Sequence, residues 1–151
     1  MIIWDACKTR NNYLDFDMSG MIIKDASGNK YGYPFVIGQY IPWFNGGYVY
    51  AISNDGANGE MVSREGSTGT HNDAYNWCRN YGANWNVPSI GTLKTIYYSG
   101  CGVSLSGNYW SGNTSYDSST RKTWYLYLEN GWEAKTTQSD KIFNIRAVRS
   151  F

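Results

Sequence analysis

Apolar residues along the chain fall in short alternating or continuous runs at both ends and recur at helical spacing only in the middle. Met21-Ile22-Ile23-Lys24 and Tyr33-Pro34-Phe35-Val36-Ile37 flank Ser27-Gly28-Asn29, the pattern of a β-hairpin around a Gly/Asn turn. Tyr48 to Ser53 predicts a further strand after the turn Asn45-Gly46-Gly47, and residues 54 to 70, rich in Gly, Ser, Asn and Thr, read as a long loop. Two helices follow. Asn72 or Asp73 is placed to cap the first, which carries Ala74, Tyr75, Trp77, Cys78 and Tyr81 on one face and stops at Gly82. Trp85-Asn86-Val87 is an extended link before Pro88; Ser89 caps the second helix, with Ile90, Leu93, Ile96 and Tyr97, ended by Gly100. The last third returns to β: Asn108 to Ser111, Trp124 to Leu128, a turn at Asn130-Gly131 into Trp132-Glu133-Ala134, and a closing strand over 142–151. Strands, two helices and strands again predict one α+β domain over residues 1–151.

Composition narrows the function. With 13 basic and 12 acidic residues the net charge is +1, so the chain offers no phosphate-neutralising surface and nucleic acid is excluded as a partner. No apolar run reaches the roughly 20 residues that span a bilayer, which excludes insertion by a transmembrane helix, and no basic stretch tracks anionic lipid. Residues 1–5 lack the pattern of a signal peptide, so the domain is expected either as part of a longer exported protein or as a phage-type structural protein. The 7 Trp, 14 Tyr and 17 Gly suit a loop-rich recognition surface, since aromatics give contact area at low entropy cost.

The order of these signals resembles a known family. Gly20 to Val36 resembles the opening hairpin of the bacterial lectin-like domain at the C-terminus of collagen-like adhesins. Ala74-Tyr75-Asn76-Trp77-Cys78, then Trp85-Asn86-Val87-Pro88-Ser89 and Leu93, resemble its two helices and the link between them. Asn108 to Gly112, Trp124 to Gly131 and Ile145-Arg146-Ala147-Val148-Arg149 resemble its later strands and its ending. Val87 and Gly112 depart from the family pattern, and residues 1–19 have no counterpart. The resemblance implies a C-type-lectin-like fold, with two helices packed on small antiparallel sheets and long irregular loops. It also implies a recognition module displayed on a cell or virion surface: an adhesin tip, or a receptor-binding protein of a phage or of a diversity-generating retroelement. Its partner would be a protein or a glycan. A further implication is a pairing of the terminal strands, with residues 20–24 beside 144–150. The apolar phase of each element separately predicts one shared core of Trp77, Trp85, Leu93, Ile96, Trp110, Leu126, Ile145 and Val148.

The chemistry-bearing residues point away from catalysis. His71 is the sole histidine, placed in a polar stretch before the first helix, and Cys78 sits on an apolar face, so no nucleophile–base pair is expected and the chain reads as a non-enzyme. Cys7, Cys78, Cys101 and His71 lack zinc spacing. No metal is assigned, although Asn113, Asp117 and Asp140 are oxygen ligands that leave calcium open as a cofactor, and with it a calcium-dependent lectin. Cys78 and Cys101 fit either a disulfide between the helix ends or two reduced core thiols. The candidate contact surface is the segment from Gly107 to Lys122, carrying Asn108, Tyr109, Asn113, Ser115, Tyr116, Asp117, Ser118 and Arg121. Trp132 and Glu133 lie at the next turn beside it, and Trp110 belongs to the framework. The competing reading is an assembly domain whose loops pack on neighbouring chains of a larger parent protein or a homo-oligomer.

Overall fold

The structure is a computed structural model. It describes residues 35–54, 56, 58–127, 130–137 and 139–151 and, through backbone pairing alone, residues 3–4, 14–17, 22–24 and 30–32. It is α+β, with two α-helices and three sheets among those residues. β1 (Ile3–Trp4), β2 (Leu14–Asp17), β3 (Ile22–Lys24) and β4 (Lys30–Gly32) pair in sequence order, all antiparallel. The expected hairpin is present through the pairs Ile22↔Gly32 and Lys24↔Lys30, but its second strand is Lys30–Gly32; of the expected strand over 33–37, residues 35–37 are not paired in it and residues 33–34 lie outside the described residues. Phe35 instead leaves the ladder and is buried, edge-on to Phe151 with ring centroids 4.9 Å apart.

A second sheet runs β13-β7-β6-β5, from β5 (Tyr40–Ile41), β6 (Gly47–Ile52), β7 (Gly59–Ser63) and β13 (Val148–Ser150). The third runs β11-β10-β9-β12-β8, from β8 (Ser67–Gly69), β9 (Asn108–Asp117), β10 (Thr120–Tyr127), β11 (Trp132–Thr136) and β12 (Phe143–Ile145). Among the described residues its one parallel contact is β12 on β9. The expected loop over 54–70 therefore holds two strands, β7 and β8. β7 is faint because Met61 and Val62 are adjacent and both buried, which breaks the alternation that marks a half-buried strand, and β8, Ser67-Thr68-Gly69, carries no apolar residue at all. The terminal pairing differs as well: β13 pairs with β7 and β12 with β8 and β9, while β3 pairs with β2 and β4.

Both helices start at side-chain caps and stop at glycines. The first, α1 (His71–Tyr81), is capped by Thr70, not by Asn72 or Asp73. Thr70 Oγ1 accepts from the Asp73 amide at 3.2 Å, and the Thr70 amide donates to Asp73 Oδ2 at 2.9 Å, a reciprocal capping box. The second, α2 (Ile90–Ser99), starts at Ser89, whose Oγ accepts from the Thr92 amide at 3.0 Å, and ends on Gly100 in the left-handed region.

The core divides into three clusters because β9 and β10, and likewise β6 and β7, bury side chains on both faces. Trp110, Ile145 and Trp85 gather with Ala74 and Cys78 of α1; Tyr109 and Leu126 pack on Ile90 and Leu93 of α2; Ile96 and Cys101 meet Tyr50 and Val62. Six of the eight expected core residues are buried, while Trp77 and Val148 lie half-buried at the rims. Cys78 and Cys101 are free thiols in different clusters, so no disulfide joins them; Cys7 lies outside the described residues. Burial pushes the Cys78 thiol up to about 12, which removes it as a nucleophile.

Gly47 is fixed by space: a Cβ there would stand 2.8 Å from the Val62 carbonyl oxygen and 3.1 Å from both Met61 Sδ and Trp85 Cη2. Gly47→Ala is expected to lower stability by about 1–3 kcal/mol. Gly91→Ala, in α2 with only Ser89 Oγ within 4 Å, should raise it by about 0.5–1 kcal/mol. Urea titrations of the two variants check the pair; equal effects would mean that the close approach at Gly47 is not real.

Candidate functional site

The segment from Gly107 to Lys122 is not a loop. It is a hairpin in which β9 and β10 run antiparallel from Asn108↔Tyr127 to Asp117↔Thr120, turning through Ser118 and Ser119. Both serines have positive φ, 54° and 80°, as a two-residue hairpin turn of primed type requires, although neither is the Gly or Asn that makes such a turn easy. Between Thr123 and Tyr125 the register shifts, so that Ser111 to Asn113 form a bulge in β9 opposite Trp124. Ser111 Oγ secures the bulge by donating to the Trp124 carbonyl at 2.8 Å.

Residues paired across an antiparallel ladder share a face, so the hairpin sorts the candidate residues. Ser115, Asp117 and Lys122 lie on the face that also carries Tyr109, Trp124 and Leu126. There Ser115 Oγ accepts from Trp124 Nε1 at 3.1 Å, and Asp117 sits between Lys122 (3.6 Å) and Lys135 (3.5 Å). Glu133, opposite Leu126, bonds Lys94 of α2 at 2.8 Å. Tyr116 and Arg121 are direct partners on the other face, which Trp110 and Tyr125 continue inward. Tyr116 is 69% exposed.

Several expected contact residues therefore serve the framework. Tyr109 is 6% exposed, in the α2 cluster. Asn113 Oδ1 accepts from the Ile90 amide at 2.7 Å, which satisfies a free N–H in the first turn of α2. Asn108 is half-buried and its backbone carbonyl accepts from Asn144 Nδ2 at 3.1 Å. Ser115 and Asp117 hold the strands together, and Glu133 ties β11 to α2, as described. Trp132, 70% exposed, is not beside Tyr116: it pairs with Tyr127, six residues along β10 from Arg121, which places it about 20 Å away at the opposite end of the hairpin.

Sequence patterning also misplaces His71, which is the first residue of α1 and only 3% exposed. It lines a cleft of about 410 Å³ between the start of α1, the hairpin and residues 139–140, with Asn72, Tyr75, Arg121 and Asp140 around it. Its Nε2 lies 3.0 Å from the Ser111 carbonyl oxygen. A carbonyl only accepts, so Nε2 carries the proton and Nδ1 keeps its lone pair. The ring meets Tyr75 and Trp110 edge-on at 5.1 and 5.3 Å. Burial holds the imidazole below the usual histidine range; the bond to Ser111 opposes that shift and the charge of Arg121 adds to it. On the far side of Tyr75, whose Oη donates to the Gly112 carbonyl at 3.3 Å, lies a second cleft of about 470 Å³ with Arg79, Asn84 and Asn86 in its wall. Nothing in the sequence links Arg121 to a histidine fifty positions earlier, which is why the first cleft is invisible there.

The lowered affinity of His71 for a proton has a consequence for stability. An unfolded chain takes up that proton near pH 6.5 and the native state only further down, so stability is complete above that pH and falls as the solution is acidified through the gap. The melting temperature is expected to be level above about pH 7 and to decline between about pH 6.5 and 5, before carboxylates titrate. His71 is the sole histidine, so His71→Gln should flatten that portion of the curve. An unchanged slope in the variant would refute the assignment.

Asn113, Asp117 and Asp140 have separate surroundings, and among the described residues no group of three or more His, Cys, Asp or Glu could hold a metal ion. Among the described residues, too, no helix is long and apolar enough to cross a membrane. The chain matches no family model, no curated protein and no solved structure.

Proposed function

We propose that this domain is a non-enzymatic recognition module of C-type-lectin-like fold that binds a protein or glycan partner through the outer half of the β9–β10 hairpin and the adjoining cleft. The carrying observation is the pair Tyr116 and Arg121, an exposed ring beside a guanidinium with no hydrogen-bond or ion-pair partner among the described residues, side by side on a two-stranded projection. An aromatic anchor next to an arginine is the combination that dominates binding surfaces. The fold reading is supported by the capped helix pair joined through Trp85 to Ser89, by Trp110 in the core and by closing strands that complete two sheets; the pairing of β3 departs from it. A surface location, on a cell or a virion, accompanies this role, as an adhesin tip or a phage or retroelement-diversified receptor-binding protein.

The assembly reading has one specific observation in its favour. Tyr98 and Trp132, each 70% exposed, stand at the end of the hairpin remote from Tyr116, where a neighbouring chain of a larger protein or homo-oligomer could cover them. Screening the domain on glycan arrays and against cell-surface proteins, then repeating each positive with Tyr116→Ala and with Trp132→Ala, separates the two. Loss only with Tyr116→Ala supports recognition at the tip. Loss only with Trp132→Ala, together with self-association in light scattering, supports assembly and removes the tip reading.

A further inference from the structure

We infer that the His71 cleft is a metal-independent subsite for one saccharide ring, with Tyr75 as its stacking surface and Arg121, Asn72 and Asp140 bonding its hydroxyls. The inference rests on the recognition reading above and names the ligand class at the inner end of the same face. Three observations carry it.

The first is an inventory of unused polar groups. Arg121 and Asp140 share the cleft without bonding each other, and neither they nor the Asn72 side chain has a partner among the described residues. At the floor, His71 is buried and spends Nε2 on Ser111, which leaves Nδ1 as an acceptor. The cleft therefore offers donors (Arg121, Asn72) and acceptors (Asp140, Asn72, His71 Nδ1) within one concavity.

The second is that this mixture selects a neutral, hydroxyl-rich ligand over an ion. A simple carboxylate would satisfy Arg121 but would face the Asp140 carboxylate and the His71 lone pair. A cation would face Arg121. A sugar hydroxyl donates and accepts at once, so neighbouring hydroxyls can give to Asp140 and Nδ1 while taking from Arg121 and Asn72. The third is the wall. Tyr75 is partly exposed and held by its bond to the Gly112 carbonyl, so it presents a fixed aromatic surface to the apolar C–H side of a ring at little entropic cost. A volume of about 410 Å³ falls in the range of small-molecule sites. Burial, which keeps the imidazole neutral, also keeps Nδ1 an acceptor at neutral pH.

Because His71 is the sole histidine, its ring resonances form a single NMR reporter of the cleft. The probes are D-galactose, D-mannose, N-acetyl-D-glucosamine and L-fucose, each titrated into 15N-labelled domain in the presence of EDTA, with sodium acetate as the anionic control. At least one sugar is expected to shift the His71 resonances saturably, with half-saturation on the order of millimolar for so small a ligand. Arg121→Met and Asp140→Asn, both at exposed positions, should each weaken that binding by about tenfold or more while leaving the melting temperature in place.

Four results would overturn the inference: no response to any of the sugars, an equal response to acetate, a response that appears only when calcium replaces EDTA, or binding that survives both substitutions. If the sugars fail while Tyr116→Ala still abolishes partner binding, the subsite alone is wrong. If they bind as described while Tyr116→Ala changes nothing, the subsite stands and the tip reading falls.

Discussion

Trp110→Ala is expected to cost about 3–5 kcal/mol of folding stability, the largest loss from a single truncation in the domain. Trp110 is 1% exposed and sits where four elements meet. Its ring lies 4.5 Å from Phe143 of β12, 5.3 Å from His71 of α1 and 6.3 Å from Tyr125 of β10, and its Nε1 donates to the Gly69 carbonyl of β8 at 2.9 Å. Truncation opens a cavity among ring systems that cannot collapse into it, and it orphans a buried carbonyl. Trp110→Phe separates the two effects. It restores most of the volume but not the donor, so it should cost about 1–3 kcal/mol, the usual penalty of an unsatisfied buried acceptor. Urea unfolding followed by circular dichroism measures both. A loss below about 1 kcal/mol for the alanine variant would show that this junction does not hold the fold together.

The second large effect is on binding. Tyr116→Ala should weaken partner binding by about 2 kcal/mol, roughly thirtyfold, because an exposed aromatic beside Arg121 has the character of a binding anchor. Trp132→Ala should leave the same interaction nearly unchanged, since about 20 Å of strand separates the two rings. Ser118→Ala, at the turn, should have a small effect. All three side chains are exposed, so none of the substitutions should move the melting temperature appreciably. A titration that is insensitive to Tyr116→Ala and sensitive to Trp132→Ala would relocate the contact surface to the end near Tyr98.

Local signals in the sequence were reliable where one short-range interaction decides the outcome. Ser89 and Gly100 bound α2 because a cap and a left-handed stop act over three or four residues. The cap of α1 was displaced by a few residues because Asp73 is itself half of the box whose other half is Thr70. β8 is illegible because its partner β12 lies about 75 residues away, and β7, although it forms a hairpin with the neighbouring β6, is faint because the adjacent buried pair Met61 and Val62 breaks the alternation. The candidate site failed in the same way. Gly, Ser, Asn and Tyr in one run describe a polar loop and a two-sided hairpin equally well. Only the register shows that Tyr109 faces α2, that Asn113 serves the first turn of α2 and that Tyr116 meets Arg121. The cleft joins residues 71 and 121 through the fold alone.

The last strands have a bearing on how the domain is made. β12 inserts between β8 and β9, and two residues later β13 completes the β7 edge, so the segment 143–150 joins two sheets. Translation delivers β5 to β11 first. A nascent chain paused before residue 143 would lack Phe143, Ile145 and Ala147, and would hold β9 and β7 as open edges, with β8 unpaired, beside a half-formed core. Folding is thus tied to the emergence of that segment from the ribosome, at a separation in sequence that makes the closing contacts slow to form. Until the segment is out, the strand edges it covers stay open to pairing with other chains.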